Sequence, residues 1–320
     1  MAETLSDFSL GKKIQPKGMI QKVGIVGCGT VGQEITRVVS EYGIDVIFID
    51  INDERVEEIK HEIAAKLDNI ISNWGMTPGD KRSILSRIQG SSNFQDLHDC
   101  DVVIEAIHSS RRGTSLETRK EVFKQIEAVV STDTIIASNT ATLMISDLAT
   151  ILKHPERAIG MHFMQPFDKT EIIEVVKAIF TSEESFKQAE KFATMIGRKV
   201  IKLNESPGNV STRMMVTVIN EACDILMEGV ASIKDIDEAM RQASGYHFGP
   251  FEMADRIGLD KVLKYMENLY AEFGDNKYKA SPLIKRLVRA NHTGRMSGKG
   301  FYNYIEGNPV SQSISFTEFN

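Results

Sequence analysis

Short apolar runs alternate with longer amphipathic stretches over the first two thirds of the chain. Residues 22–27 (KVGIVG), 45–50 (DVIFID), 101–107 (DVVIEAI), 133–140 (DTIIASNT) and 157–164 (RAIGMHFM) read as strands buried on both faces, because their apolar residues run on without polar alternation. Between them, residues 33–42 and the stretch from Glu54 to about Arg87, broken at Gly75 to Gly79, carry apolar residues at helical spacing. Strands alternating with helices predict a doubly wound, Rossmann-type α/β domain with a mostly parallel sheet. Residues 171–179 and 199–203 extend the sheet, with a helix over 182–196 between them. From Pro207 onward the period is helical throughout, over 212–227, 233–243, 250–256, 260–273 and 282–290, so the second domain is expected to be all α. The Ser-Pro-Gly-Asn turn at 206–209 separates the two patterns. The expected organisation is a flexible leader over 1–20, the sheet domain over 21–205, the helical domain over 206–304 and a polar tail over 305–320 with no assigned structure.

A length of 320 residues, 42% hydrophobic, is enough for two cores. No run approaches the roughly 20 apolar residues of a membrane span, and the first twenty residues lack the apolar centre of a secretory signal. A cytoplasmic protein is expected, without a membrane partner. The net charge of -6 argues against a nucleic-acid surface, which needs clustered Lys and Arg. Cys28, Cys100 and Cys223 show no CxxC spacing, so neither a disulfide framework nor a metal site is indicated.

Chemistry enters at Gly27-Cys28-Gly29-Thr30-Val31-Gly32, a GxGxxG between a strand and a helix. Gly27 permits the tight turn, Gly29 lets the backbone approach a pyrophosphate, and Gly32 allows close helix–strand packing. The phosphate charge would rest on unpaired N–H groups of the helix that opens at Thr30 and Val31. Asp50 closes the second strand, where a carboxylate accepts hydrogen bonds from both ribose hydroxyls of an adenosine and repels a 2′-phosphate. Arg55 is the one cation in the following turn, so NAD is predicted rather than NADP. Glu105 and Asn139, at the ends of later strands, complete the expected cofactor set, since ligands of open sheets bind at the carboxyl ends of the strands.

His162 and Glu174 lie on successive predicted strands. An imidazole titrating near neutrality carries protons in either direction, and a facing carboxylate would fix its tautomer. The residues alone equally allow a structural histidine and a solvated glutamate.

The ordered set of the glycine fingerprint, SNT (138–140), HFxxP (162–166), Glu174, SPG (206–208), the stretch 245–260 (GYHFGPFEMADRIGLD) and GKGFYNY (298–304) resembles the 3-hydroxyacyl-CoA dehydrogenases over about residues 20 to 304. The resemblance implies that His162 and Glu174 form the dyad that takes the 3-hydroxyl proton while hydride leaves C3, and that the helical domain builds a homodimer. It also implies substrate contacts at Asn139, Ala141, Thr142 and Thr212. Three positions depart from the family pattern: Ala141 stands where SNTSS has its first serine after the threonine, Gln165 stands for the asparagine of HFFNP, and Thr212 for that of PGFxxNR. The segment between Ile107 and Phe123 is longer than the family's. Loss of one preorganised donor costs about 2.7 to 4 kcal/mol, so these departures suggest a retooled substrate site. A free β-hydroxy acid as substrate, or an NAD-binding paralogue without turnover, remain open alternatives. Lys60, Lys66 and Arg112 are candidate phosphate partners for a CoA thioester.

Overall fold

The computed structural model describes residues 20–107, 115–164, 167 and 170–313. Most of the predicted leader and part of the tail lie outside the described residues, as do Arg112 and Gln165. Ile20, assigned to the leader, is buried and belongs to the core. An eight-stranded sheet has the order β3-β2-β1-β4-β5-β6-β7-β8. By contacts the chain forms two compact units, one within Met1–His108 and Lys124–Ile136, the other within Ser109–Phe123 and Ala137–Asn320.

In the first unit, β1 (Lys22–Val26) pairs in parallel with both β2 (Asp45–Ile49) and β4 (Val102–Glu105), and β2 with β3 (Ile88–Ser91). All but the first residue of β1 and β2, and the whole of β4, are buried, which is why these segments read as continuous apolar runs. Helix α1 (Thr30–Glu41) starts four residues after β1 ends, and α2 (Asp53–Ser72) follows β2, capped by Asn52, whose side chain accepts the Arg55 N–H. Helix α3 (Pro78–Leu85) opens with a capping box of Thr77 and Asp80. The Gly75 to Gly79 break thus separates two helices. Strand β3 carries no apolar run and was not predicted.

The chain continues through α4 (Ser115–Glu127), β5 (Ile135–Ser138) and the short α5 (Ile145–Ala149). In the second unit, β6 (Ala158–Phe163) meets β7 (Ile172–Lys177) antiparallel, and β7 pairs in parallel with β8 (Lys199–Asn204) across α6 (Glu183–Met195). Five helices follow: α7 (Val210–Met227), α8 (Ile233–Ser244), α9 (Pro250–Ile257), α10 (Leu259–Phe273) and α11 (Pro282–Arg289). They enclose an apolar core in which Val216, Cys223, Phe251, Val262, Met266 and Phe301 are fully buried. The tail after Tyr304 corrects the expectation of no structure: β9 (Tyr302–Ile305) and β10 (Asn308–Gln312) form a hairpin. Asp255 fastens it to α9, its carboxylate accepting the Phe301 and Tyr302 N–H groups and the Tyr304 hydroxyl. Asp237 receives the Phe251 and Glu252 N–H groups and the Tyr302 hydroxyl.

Candidate active site

The glycine fingerprint folds as the spacing requires. Gly27 sits at φ 87°, in the region that disfavours other residues, and a Cβ there would also lie 2.7 Å from Ile107. At Gly32 a Cβ would come within 2.2 Å of the Gly27 carbonyl oxygen, so only hydrogen fits between loop and helix. Gly29 differs: a Cβ would meet nothing within 4 Å, because the loop faces open space there. Gly29 is the N-cap of α1 and supplies no side-chain cap, which leaves first-turn N–H groups around Thr30 and Val31 for an external acceptor.

Asp50 closes this cradle. Its carboxylate accepts the Cys28 N–H at 2.8 Å and the Ile51 N–H at 2.9 Å. A carboxylate has about four lone-pair positions, and two remain for a diol. The cations that would favour a 2′-phosphate are engaged: Arg55 donates to Glu58 at 2.9 Å and Glu62 at 2.8 Å, and Lys66 to Glu34 at 3.0 Å. Lys60 pairs with Glu57. Glu105 is fully buried and accepts the Ile107 N–H, which shapes the turn leaving β4. Burial pushes the Cys28 thiol up to about 12, so it stays protonated. The three cysteines are free and buried, and among the described residues no His, Cys, Asp and Glu cluster fits a metal.

In the second unit, the antiparallel register sets His162 directly opposite Glu174. His162 Nδ1 and Glu174 Oε2 are 2.8 Å apart. Glu174 is 2% exposed. The start of α7 also holds it: the Ser211 N–H donates to Oε1 at 2.9 Å and the Ser211 hydroxyl to Oε2 at 2.8 Å. Burial pushes the Glu174 carboxyl up, but the hydrogen bonds from His162 and Ser211 outweigh it and hold the group below its ordinary value. An ionised carboxylate only accepts, so Nδ1 carries the proton, and in the neutral imidazole it is Nε2 that has the lone pair. Among the described residues Nε2 has no hydrogen-bond partner.

The SNT segment lies against the same helix start. Asn209 N–H donates to the Ala141 carbonyl at 3.1 Å, and the Asn209 amide to that of Thr140. Asn139 accepts the Phe163 N–H at 2.8 Å and so fixes the strand end that carries His162. Thr142 accepts from Asn268 at 2.9 Å, which leaves the threonine's own proton to donate. Thr212 is buried in the first turn of α7. Ala141, Thr142, Thr212, His162 and Glu174 therefore share one framework. Ser211 and Asn268 were missed by sequence reasoning: they reach their partners across 37 and 126 residues, without a local pattern. Arg119 of α4 was missed as well; its guanidinium is 3.4 Å from the Ser138 hydroxyl.

Comparison with known proteins identifies the family. Residues 22–206 match the family model of the 3-hydroxyacyl-CoA dehydrogenase NAD binding domain, and residues 208–304 that of the C-terminal domain. A 3-hydroxybutyryl-CoA dehydrogenase of Clostridioides difficile is 35% identical over 283 residues, 88% of this chain and 99% of the relative. A probable 3-hydroxybutyryl-CoA dehydrogenase of Deinococcus radiodurans is 36% identical over 283 residues, covering 88% of this chain and 100% of that protein. The crystal structure of (S)-3-hydroxybutyryl-CoA dehydrogenase from Ralstonia eutropha superposes with a TM-score of 0.81 at 37% identity, over 90% of this chain and 100% of that one. With the glycine cradle and Asp50 fitting a dinucleotide, the chain belongs to the NAD-dependent 3-hydroxyacyl-CoA dehydrogenase family.

Proposed function

We propose that this enzyme interconverts a (3S)-3-hydroxyacyl-CoA and its 3-oxo form, with His162 as general base in oxidation and general acid in reduction. The observation that carries this reading is the Glu174 carboxylate, buried, ionised and held from two sides, bonded to His162 Nδ1 at 2.8 Å. It fixes the tautomer that leaves Nε2 as the proton acceptor and stabilises the imidazolium that forms. Bound NAD supplies the hydride acceptor, held by the turn at Gly27, Gly29 and Gly32, the first-turn N–H groups at Thr30 and Val31, and the Asp50 carboxylate. Glu105 supports this set through the β4 turn, whereas Asn139 holds the end of β6 that carries His162. The Thr142 hydroxyl and the Thr212 side chain stand in for the donors missing at the substrate oxygen, Ala141 offering only a methyl group.

The test is NADH formation from (S)-3-hydroxybutyryl-CoA, from its R enantiomer and from free (S)-3-hydroxybutyrate. Turnover confined to the S thioester supports the reading. Turnover of the free acid alone establishes the hydroxy-acid alternative, and tight NADH binding with no turnover on any of them the inactive paralogue. A homodimer through the helical part is also proposed, supported by exposed Val210, Met214 and Met227 along α7. The buried free thiols suit a reducing, cytoplasmic setting, and among the described residues no helix is long and apolar enough to cross a membrane.

A further inference from the structure

Two donors converge on one oxygen at the dyad. Glu174 Oε2 receives both His162 Nδ1 and the Ser211 hydroxyl, each at 2.8 Å, while Oε1 is occupied by the Ser211 N–H at 2.9 Å. Ser211 is the second residue of α7, whose N-cap Asn209 forms no side-chain cap, so the carboxylate itself satisfies the helix's orphan N–H. The two bonds from Ser211 have different consequences. The N–H bond depends on the helix start and survives any residue but proline. The hydroxyl bond belongs to serine or threonine alone.

Resting on the dyad reading above, we propose that Ser211 is a positioning residue of the reaction: its hydroxyl divides Glu174 Oε2 between two donors and thereby sets how strongly that oxygen holds the imidazole proton. A carboxylate oxygen that accepts a second hydrogen bond carries less negative charge toward the first donor, so the imidazolium beside it is less stabilised. The Ser211 hydroxyl lowers the proton affinity of His162 and keeps a larger share of it as free base near neutral pH. Among the described residues, His162 and Ser211 are the groups that act on Glu174. His162 is the titratable group acting on Glu174, β8 sets Ile201 opposite it, and Arg213, the first charged residue of α7, is turned onto Tyr278 and Ser206. On the side of β5, Arg119 faces Ser138.

The experiment titrates the His162 side chain by NMR in the full-length protein, its signal identified by its loss in His162→Gln. Ser211→Ala, which keeps the N–H bond and the helix, is expected to raise the His162 pKa by about half a unit to one unit, the worth of one hydrogen bond. The acid limb of kcat/KM for oxidation moves the same way, and Ser211→Thr restores the wild-type value. An unchanged His162 pKa in folded Ser211→Ala, or equal shifts in the alanine and threonine variants, would overturn the proposal. The titration needs no substrate. The expected shift in a chain that turns over no hydroxyacyl thioester would therefore support the role of Ser211 and remove the assigned reaction, whereas normal turnover with no shift would remove the role of Ser211 alone.

Discussion

Replacing Glu174 by glutamine keeps the side-chain volume and removes the charge, and the geometry dictates the outcome. The native carboxylate accepts three hydrogen bonds, from His162 Nδ1 at 2.8 Å, Ser211 N at 2.9 Å and Ser211 Oγ at 2.8 Å. An amide offers one oxygen and one NH2 group. If the oxygen stays on the Ser211 N–H, the NH2 group faces His162, and Nδ1 must become an acceptor. The ring proton then sits on Nε2, the nitrogen required to take the substrate proton. If the oxygen turns to His162 instead, it keeps the Ser211 hydroxyl as well, but the NH2 group meets the Ser211 N–H and that buried bond is lost. The first arrangement takes the acceptor away from Nε2, and the second leaves the imidazolium that forms without a neighbouring charge. General acid–base catalysis contributes about 10²- to 10⁴-fold, and kcat of Glu174→Gln is expected to fall within that range, or about 2.7 to 5.5 kcal/mol. The loss in His162→Ala sets the ceiling, because both residues act on the same proton. The double variant should be no slower than the worse single one. NADH absorbance with saturating (S)-3-hydroxybutyryl-CoA measures kcat, and calorimetric titration with NAD should find cofactor affinity nearly unchanged. A Glu174→Gln enzyme within about threefold of wild-type kcat, or a double variant whose loss is the product of the two, refutes the dyad.

Other outcomes follow from the same coordinates. Because folding holds the Glu174 pKa below its ordinary value, its contribution to stability is full above pH 4.5 and is lost as pH falls through the folded value. Urea titrations should therefore show wild type losing more stability than Glu174→Gln on acidification below pH 4.5, and equal losses would contradict this. Gly32→Ala places a Cβ 2.2 Å from the Gly27 carbonyl oxygen, and NAD binding should weaken by about tenfold or more, near 1.4 kcal/mol; an unchanged Kd by calorimetry would show that the loop tolerates the methyl group. With Asp50 at the ribose position and Arg55 engaged by Glu58 and Glu62, kcat/KM with NADH should exceed that with NADPH, and the reverse order would remove Asp50 from cofactor selection. Phe251→Ala empties a fully buried position of the helical core and should cost about 3 to 5 kcal/mol by chemical denaturation; a loss under about 1 kcal/mol would mean that the core there collapses around the gap.

The strands β1, β2, β4 and β5 were legible because burial on both faces leaves an unbroken apolar run, and the helices of the second unit because one face alone is apolar. Strand β3, Ile-Gln-Gly-Ser, has no such run; its register with β2, Val46 against Ile88, defines it. Strand β10 is exposed at every residue and owes its form to β9 and to a two-residue turn in which Glu306 and Gly307 both have positive φ. Glu-Gly is a weak turn signal, so the hairpin escaped notice. The fingerprint and Asp50 were readable since the cofactor chemistry is local in sequence. His162 and Glu174 could be placed on neighbouring strands, yet only the antiparallel register made them opposite partners. The support from Ser211 and Asn268 arrives from elements that the sequence order keeps far apart.

The carboxylate beside His162 is also the cap of α7. One set of hydrogen bonds thus serves both the seating of a helix and the basicity of an imidazole. Loosening of the 206–209 turn by heat, denaturant or a remote substitution would therefore register at His162 as altered proton affinity before the core opens. Variants far from the substrate, such as those that weaken the packing of α7, should pass for catalytic defects in a rate assay while betraying their origin through a displaced pH profile.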